Sequence, residues 1–305
     1  MNRPLDSADH HASRQGLAYG VAAYGLWGVL PIYFKLLKAV PPVDIVAQRV
    51  LWSIPVLALL LSVTRGWPKV RQAFREKRTM LLLLTSSVLI GVNWVLYVYA
   101  VNSGHILAGS LGYYLNPLAN VLLGRLVLKE RLTKLQWIAV AIAAAGISVL
   151  AVQALNQLWI SLVLCATFAT YGLVRKVAPV DAVPGLAIET GLLAPLCIVW
   201  LAFSLASGQP SFGVTTSDAL LLALAGIVTA TPLLLFTAAA RRLRLSMLGM
   251  LQFLAPTLQF IIAVFVYGEP FTTAHAIAFA AIWSALAIYV FAILHNARGS
   301  VTVPE

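Results

Sequence analysis

The sequence predicts an all-α polytopic membrane protein, with ten transmembrane helices arranged as two inverted five-helix repeats. Three observations carry that expectation: an apolar composition, ten long apolar runs, and a match of the chain to itself. Of the 305 residues, 61% are hydrophobic and 10% are charged, against about 45–50% and about 25% in soluble domains. Such a chain would expose more hydrocarbon than water tolerates, so lipid is its natural solvent. Cytosolic enzymes, nucleic-acid binders and disulfide-stapled secreted domains are disfavoured on that ground.

A helix needs about 20 residues to cross a hydrocarbon core of about 30 Å. Runs of that kind fall at 16–34, 43–63, 80–101, 105–128, 135–152, 157–174, 184–206, 219–240, 245–267 and 274–294. They are too long and too uniformly apolar for barrel strands. With the amino terminus in the cytoplasm, all but four Lys and Arg residues fall in cytoplasmic segments, Arg175 and Lys176 among them. The exceptions are Lys35 and Lys38 on the opposite face, and Arg49 and Arg125 inside runs. The positive-inside rule therefore places both termini in the cytoplasm. This clustering accounts for the net charge of +11 with no nucleic-acid partner, and it attracts the anionic headgroups of the lipid bilayer. Residues 1–14 and 295–305 read as polar cytoplasmic tails, the first lacking the apolar core of a cleavable signal peptide. Cys165 and Cys197 sit in apolar runs and read as small buried hydrophobes.

Residues 109–133 lie on 248–272 without a gap, so Pro117 falls on Pro256, Asn120 on Gln259, Glu130 on Glu269 and Thr133 on Thr272. Upstream, Pro55 meets Pro195, and Tyr24-Gly25-Leu26 recurs as Tyr171-Gly172-Leu173. The units are then 15–153 and 154–294. Five crossings is an odd number, so the second unit is inverted. Loop charge agrees: the basic stretch Arg65–Arg78 corresponds to Ser207–Asp218, which holds no Lys or Arg. Inverted repeats of this kind mark secondary transporters, with the substrate site near mid-membrane at the repeat interface.

The strings GVAAYGLWGVLPIYFK, NWVLYVYAVN, SLGYYLNPLANVLLG, YGLVRK and RLRLSMLGMLQFLAPTLQFIIAVFVYGE resemble the EamA-like branch of the drug/metabolite transporter superfamily. The similarity runs from about Gln15 to Leu294. It implies ten helices in two inverted repeats, a bacterial inner-membrane location and carrier activity on small metabolites or drugs. One departure stands in the second run, where the family's His-Arg is replaced by Gln48-Arg49.

Ionisable groups inside a membrane cost about 2.5–3.5 kcal/mol at a helix centre on insertion scales, so each invites a role. Glu189 alone of the acidic residues is well inside a run, and the repeat places Arg49 on the same site. Each lies about six residues from its nearer face, leaving roughly 12 Å between them along the membrane normal. Arg49 then recognises an anionic group of the substrate, and Glu189 binds a proton or a cationic group. The alternative is structural: the two neutralise each other, or bind helix-end carbonyls.

Pro117 leaves the carbonyl of Tyr113 free and Pro256 that of Gln252, a helix-break signal in two matching runs. Asn116 and Asn120 share one face, Gln252 and Gln259 the other, so amides and freed carbonyls either line a polar pocket or bond between helices. Tyr24 and Trp27 fall on one helical stripe, and Asn93 and Tyr97 on another. With Tyr113 they suit a cavity wall for a flat or cationic solute. His105 and His275 have no metal-ligand company, and no Gly-rich phosphate loop is present, so no metal, cofactor or catalytic set is expected. The expected activity is a permease for small molecules with protons as coupling ion. An uncoupled carrier and a non-transporting membrane sensor or assembly protein are the alternatives. Oligomeric state is not legible.

Overall fold

The computed structural model describes residues 7–103, 105–208, 212, 215–268 and 272–299, and its regular structure is helical, with no strand among them. In chain order the helices are α1 (Ser7–Leu36), α2 (Pro42–Val63), α3 (Trp67–Arg75), α4 (Lys77–Asn102), α5 (Ile106–Leu126) and α6 (Lys134–Ala151). A 3₁₀ turn, Val152–Gln157, leads to α7 (Leu158–Val177), α8 (Ala182–Ala206), α9 (Thr216–Arg242), α10 (Leu245–Gln252) and α11 (Leu254–Ile261). A π turn at Ile262–Val266 follows, and then α12 (Thr273–Gly299).

Among the described residues, nine spans are long and apolar enough to cross a membrane, with α10, α11 and the π turn forming one of them. Helix α5, at the expected run 105–128, is not among these nine. Helix ends follow local chemistry. Pro42 opens α2, where its fixed φ suits the first turn and its missing N–H goes unneeded. Thr133 and Gln136 form a capping box at the start of α6. The first and last helices run past the expected spans into the polar tails, since no proline or glycine intervenes between Ser7 and Gln15.

Two expectations change. The amphipathic α3 was not foreseen: its Trp67, Val70, Ala73 and Phe74 share a side, while Lys69, Arg71 and Arg75 do not. The two prolines also behave differently. Helix α5 runs unbroken through Pro117, whereas the ninth span is divided at Phe253, three residues before Pro256. Both prolines forfeit one backbone bond, but α5 is held on either side by α7 and α10.

Helix packing is dominated by α6 on α12, α5 on α7 and α10, α1 on α9 and α11, α2 on α8 and α9, and α4 on α7 and α8. The small-residue face of α6 finds its partner within the chain. Ala139, Ala143 and Gly146 close on α12, where a Cβ on Gly146 would stand 2.6 Å from that of Ala281. The main core gathers Tyr24, Phe168, Tyr171, Leu233 and Phe236 from α1, α7 and α9.

Candidate functional site

Glu189 lies on α8 and is 1% exposed. Its Oε1 is 3.3 Å from Nη1 of Arg175 in the last turn of α7, a residue equally sealed from solvent. Ser86 of α4 donates its hydroxyl to the same oxygen. Arg175 is further held by Thr237 of α9, at 3.4 Å from Nε, and by the carbonyl of Ala182 at 3.3 Å. Gly185, one turn before Glu189, makes the room: a Cβ there would run into the guanidinium. Glu189 thus meets Arg175 and not Arg49. Helix α7 runs on to Val177, which turns Arg175 inward instead of leaving it in a cytoplasmic loop. The stripe Leu164, Phe168, Tyr171, Arg175 at helical spacing was the signal in the sequence, and all four residues are buried.

Arg49 has a different setting. Its Nε donates to the hydroxyl of Thr229 on α9 at 2.7 Å. Its guanidinium carbon lies over the rings of Phe34, at 5.4 Å, and Trp94, at 5.2 Å. Tyr33, Tyr97 and Tyr113 are close enough to interact with its charge. Residues of α1, α4, α5 and α9 therefore surround one side chain of α2, inside the bundle. The arginine keeps some exposed surface. Its two terminal nitrogens have no hydrogen-bond partner, and no carboxylate stands within 4.0 Å, among the described residues. Asn93 sets the wall beside it: its Oδ1 accepts from Tyr113 at 3.1 Å, while its amide donates to the Leu164 carbonyl and Thr167, each at 2.9 Å.

A cavity of about 10 Å³ joins the two settings, roughly the room of one water molecule. Glu189, Tyr171, Thr190, Trp94, Ser53 and Thr229 are among the residues that line it. Oε2 of Glu189 makes no hydrogen bond of good geometry. Thr229 is the shared element, touching Arg49 and the cavity wall at once. Thr229, Ser86 and Trp94 escaped the sequence reading because hydroxyls and aromatics are common in apolar helices, and Arg175 because it stood beside a span end.

The remaining candidates divide. Tyr24 is 1% exposed with its hydroxyl unpartnered among the described residues, packed edge-on to Phe236 and tilted against Trp27. The carbonyl of Trp27 accepts from Gln259 at 3.0 Å, so Gln259 is not beside Gln252 in one pocket. Gln252 instead accepts from Asn120 at 3.0 Å across the α5–α10 crossing. Asn116 is buried with both amide atoms unpartnered among the described residues. The crossing is close-packed: a Cβ added at Gly249 would stand 2.8 Å from that of Asn120. The match of Glu130 to Glu269 falls on a residue outside the described ones. Glu130 itself caps α10, accepting from the amides of Leu245 at 2.6 Å and Ser246 at 3.1 Å. No group of three or more His, Cys, Asp or Glu among the described residues is placed to hold a metal.

The EamA-like transporter family matches over residues 14–152. An uncharacterised transporter of Pseudomonas aeruginosa is 48% identical over 91% of this chain and 94% of its own length. The chain belongs to the EamA-like transporter family. Within the family it is similar to Protein RarD of Escherichia coli K12, at 43% identity over 95% of this chain and 98% of that one. A solved crystal structure superposes with a TM-score of 0.70, covering 92% of this chain and 98% of the other. At 20% identity that likeness speaks for the fold. Membership and the apolar helices together make this a multi-pass membrane protein of a transporter family, suited to a small-molecule substrate.

Proposed function

We propose that the chain is a secondary carrier that exports small metabolites or drugs across the bacterial inner membrane by proton antiport, both termini lying in the cytoplasm. Two inverted five-helix halves, 15–153 and 154–294, alternate access to a central site, with α5 as the tenth crossing. The packing supports two related halves. Exchanging α1, α2, α4, α5 and α6 for α7, α8, α9, α10–α11 and α12 turns the α1–α9 contact into α7–α4. It likewise turns α5–α7 into α10–α11 on α1, and α2–α9 into α8–α4, all of which are present. The pairs α2–α8, α5–α10 and α6–α12 map onto themselves. The family match over 14–152 also coincides with the first half.

The observation that carries the mechanism is the buried Arg175–Glu189 pair, whose carboxylate lines a one-water cavity shared with Thr229, the hydrogen-bond partner of Arg49. A proton on Glu189 neutralises the carboxylate and dissolves its pairing with Arg175, loosening α7 from α8. Loss of the proton restores the link. A two-state element of this kind is what a coupled carrier requires, since a ligand shifts only an equilibrium whose two states it distinguishes. Arg49 presents its unpaired guanidinium nitrogens to an anionic group of the solute, for which a planar fork of donors is suited.

The test uses purified protein in liposomes enclosing a pH-sensitive dye, challenged with pooled amino acids, nucleosides and cationic drugs under a proton gradient. Wild type is compared with Glu189→Gln and with Glu189→Gln/Arg175→Met, which leaves no lone buried charge. Substrate-dependent proton flux in wild type, lost in both variants, is expected. Flux in all three moves coupling away from Glu189. Silence in all three, with folding intact, overturns antiport and favours an uncoupled carrier or a non-transporting membrane protein.

A further inference from the structure

A groove of about 300 Å³ opens between α2, α3 and α8. Every residue that lines it is apolar, among them Leu57 and Leu61 of α2, Trp67 and Phe74 of α3, and Ile188 and Gly191 of α8. Gly191 contributes to the opening: a Cβ added there would meet nothing within 4 Å. The rim remains accessible, with Trp67 44% and Phe74 59% exposed. Around this end of the groove lies the most basic segment of the chain. Arg65, Lys69, Arg71, Arg75, Lys77 and Arg78 are all exposed, and Glu76 is the acid among them. Lys69 is engaged by Asp181 at 2.5 Å. The other five cations have no carboxylate partner among the described residues.

We infer that this groove is a binding site for an anionic glycerophospholipid, one acyl chain lying between α2 and α8 and the phosphate resting against the α3 cations. The chemistry fits on two counts. An apolar slot continuous with the bilayer takes hydrocarbon at no cost in unsatisfied polar groups. A cluster of unpaired cations beside it selects an anionic headgroup, each Lys or Arg contributing attraction within a Debye length of the surface. The short amphipathic α3 then lies in the interface and closes the groove at the headgroup level. The groove face of α8 includes Ile188, adjacent in sequence to Glu189, so the lipid sits behind the helix that carries the acidic member of the buried pair. The site does not depend on whether the protein transports by proton exchange.

The test measures thermal unfolding of the full chain in mild detergent with added phosphatidylglycerol or phosphatidylcholine. Phosphatidylglycerol is expected to raise the melting temperature by several degrees more than phosphatidylcholine does. The double variant Arg71→Gln/Arg75→Gln, at exposed positions, is expected to lose that excess and to keep the smaller common shift. Gly191→Leu fills the groove and is expected to lose the shift with both lipids. Equal shifts for the two lipids in wild type overturn the proposal, as does a full excess retained by the arginine variant. A folded Gly191→Leu protein that keeps its response overturns it too, and the arginine variant decides alone should the leucine prevent folding.

Discussion

Arg175 on α7 and Glu189 on α8 form an ion pair with 3.3 Å between Nη1 and Oε1, both side chains all but sealed from solvent. Removing two charges from water is costly, and their mutual attraction repays it only while both are present. The pair is therefore weak evidence for stability but a strong constraint on which helix meets which.

The cost of breaking that pair is expected to be one-sided. Arg175→Met alone leaves the carboxylate uncompensated, and a loss of about 3–5 kcal/mol is expected. The double variant Arg175→Met/Glu189→Gln is expected to recover most of it. A double-mutant cycle on unfolding in detergent measures the coupling, and additive losses would contradict the pairing.

Gly185 is expected to matter through Arg175. A Cβ at that position collides with the guanidinium, which must swing away from Glu189. Gly185→Ala is expected to destabilise by about 1–3 kcal/mol, the usual range for overpacking. In an Arg175→Met background the same substitution should cost far less. Thermal melts of the four proteins settle the point.

Arg49→Lys is expected to keep the charge and weaken solute binding. Lysine cannot reproduce both the Nε bond to Thr229 and a fork of free donors. A lost hydrogen bond to a charged group corresponds to about 1.5–3 kcal/mol, or roughly a 10- to 100-fold rise in the half-saturating concentration. The readout is proton or solute flux in liposomes with whichever solute proves active. Stability should change little.

A pH effect is expected at Asp181, in the turn between α7 and α8. Lys69, at 2.5 Å, and Arg241, at 2.7 Å, hold its carboxyl below the usual carboxylate range. A depressed folded-state value means that the unfolded chain binds the proton more readily. The contribution is thus complete above the ordinary aspartate value of about 3.9 and fades as pH falls further, through the folded value. The side chain is about half-exposed, so the effect is modest and screened by salt. Asp181→Asn should flatten the acid limb of the stability curve at low salt, and high salt should flatten that of wild type.

Glu189 was legible as the one carboxylate deep in an apolar run, and Arg49 as its basic counterpart. Their partners were not. Thr229, which holds Arg49, is one hydroxyl among many in apolar helices, and Arg175 stood close enough to a span end to pass for a loop charge. The amides of α5 and of the ninth span were visible as polar residues beside prolines. Whether they faced each other or a cavity depended on the approach of α5 to α10, which joins Asn120 to Gln252 and leaves Gln259 on the carbonyl of Trp27.

What the sequence determined alone was the solvent, most of the spans and which two ionisable residues, Glu189 and Arg49, lie deep in apolar runs. Those follow from run length against a bilayer of about 30 Å and from the cost of burying charge there, which are local properties of the chain. The tertiary structure decided which charge met which, that α6 closes on α12 through Gly146, and that an apolar groove opens beside α3. These depend on helix rotation and on packing at the ångström scale. One turn of α7 continued past its expected end was enough to carry Arg175 from a loop into the core beside Glu189.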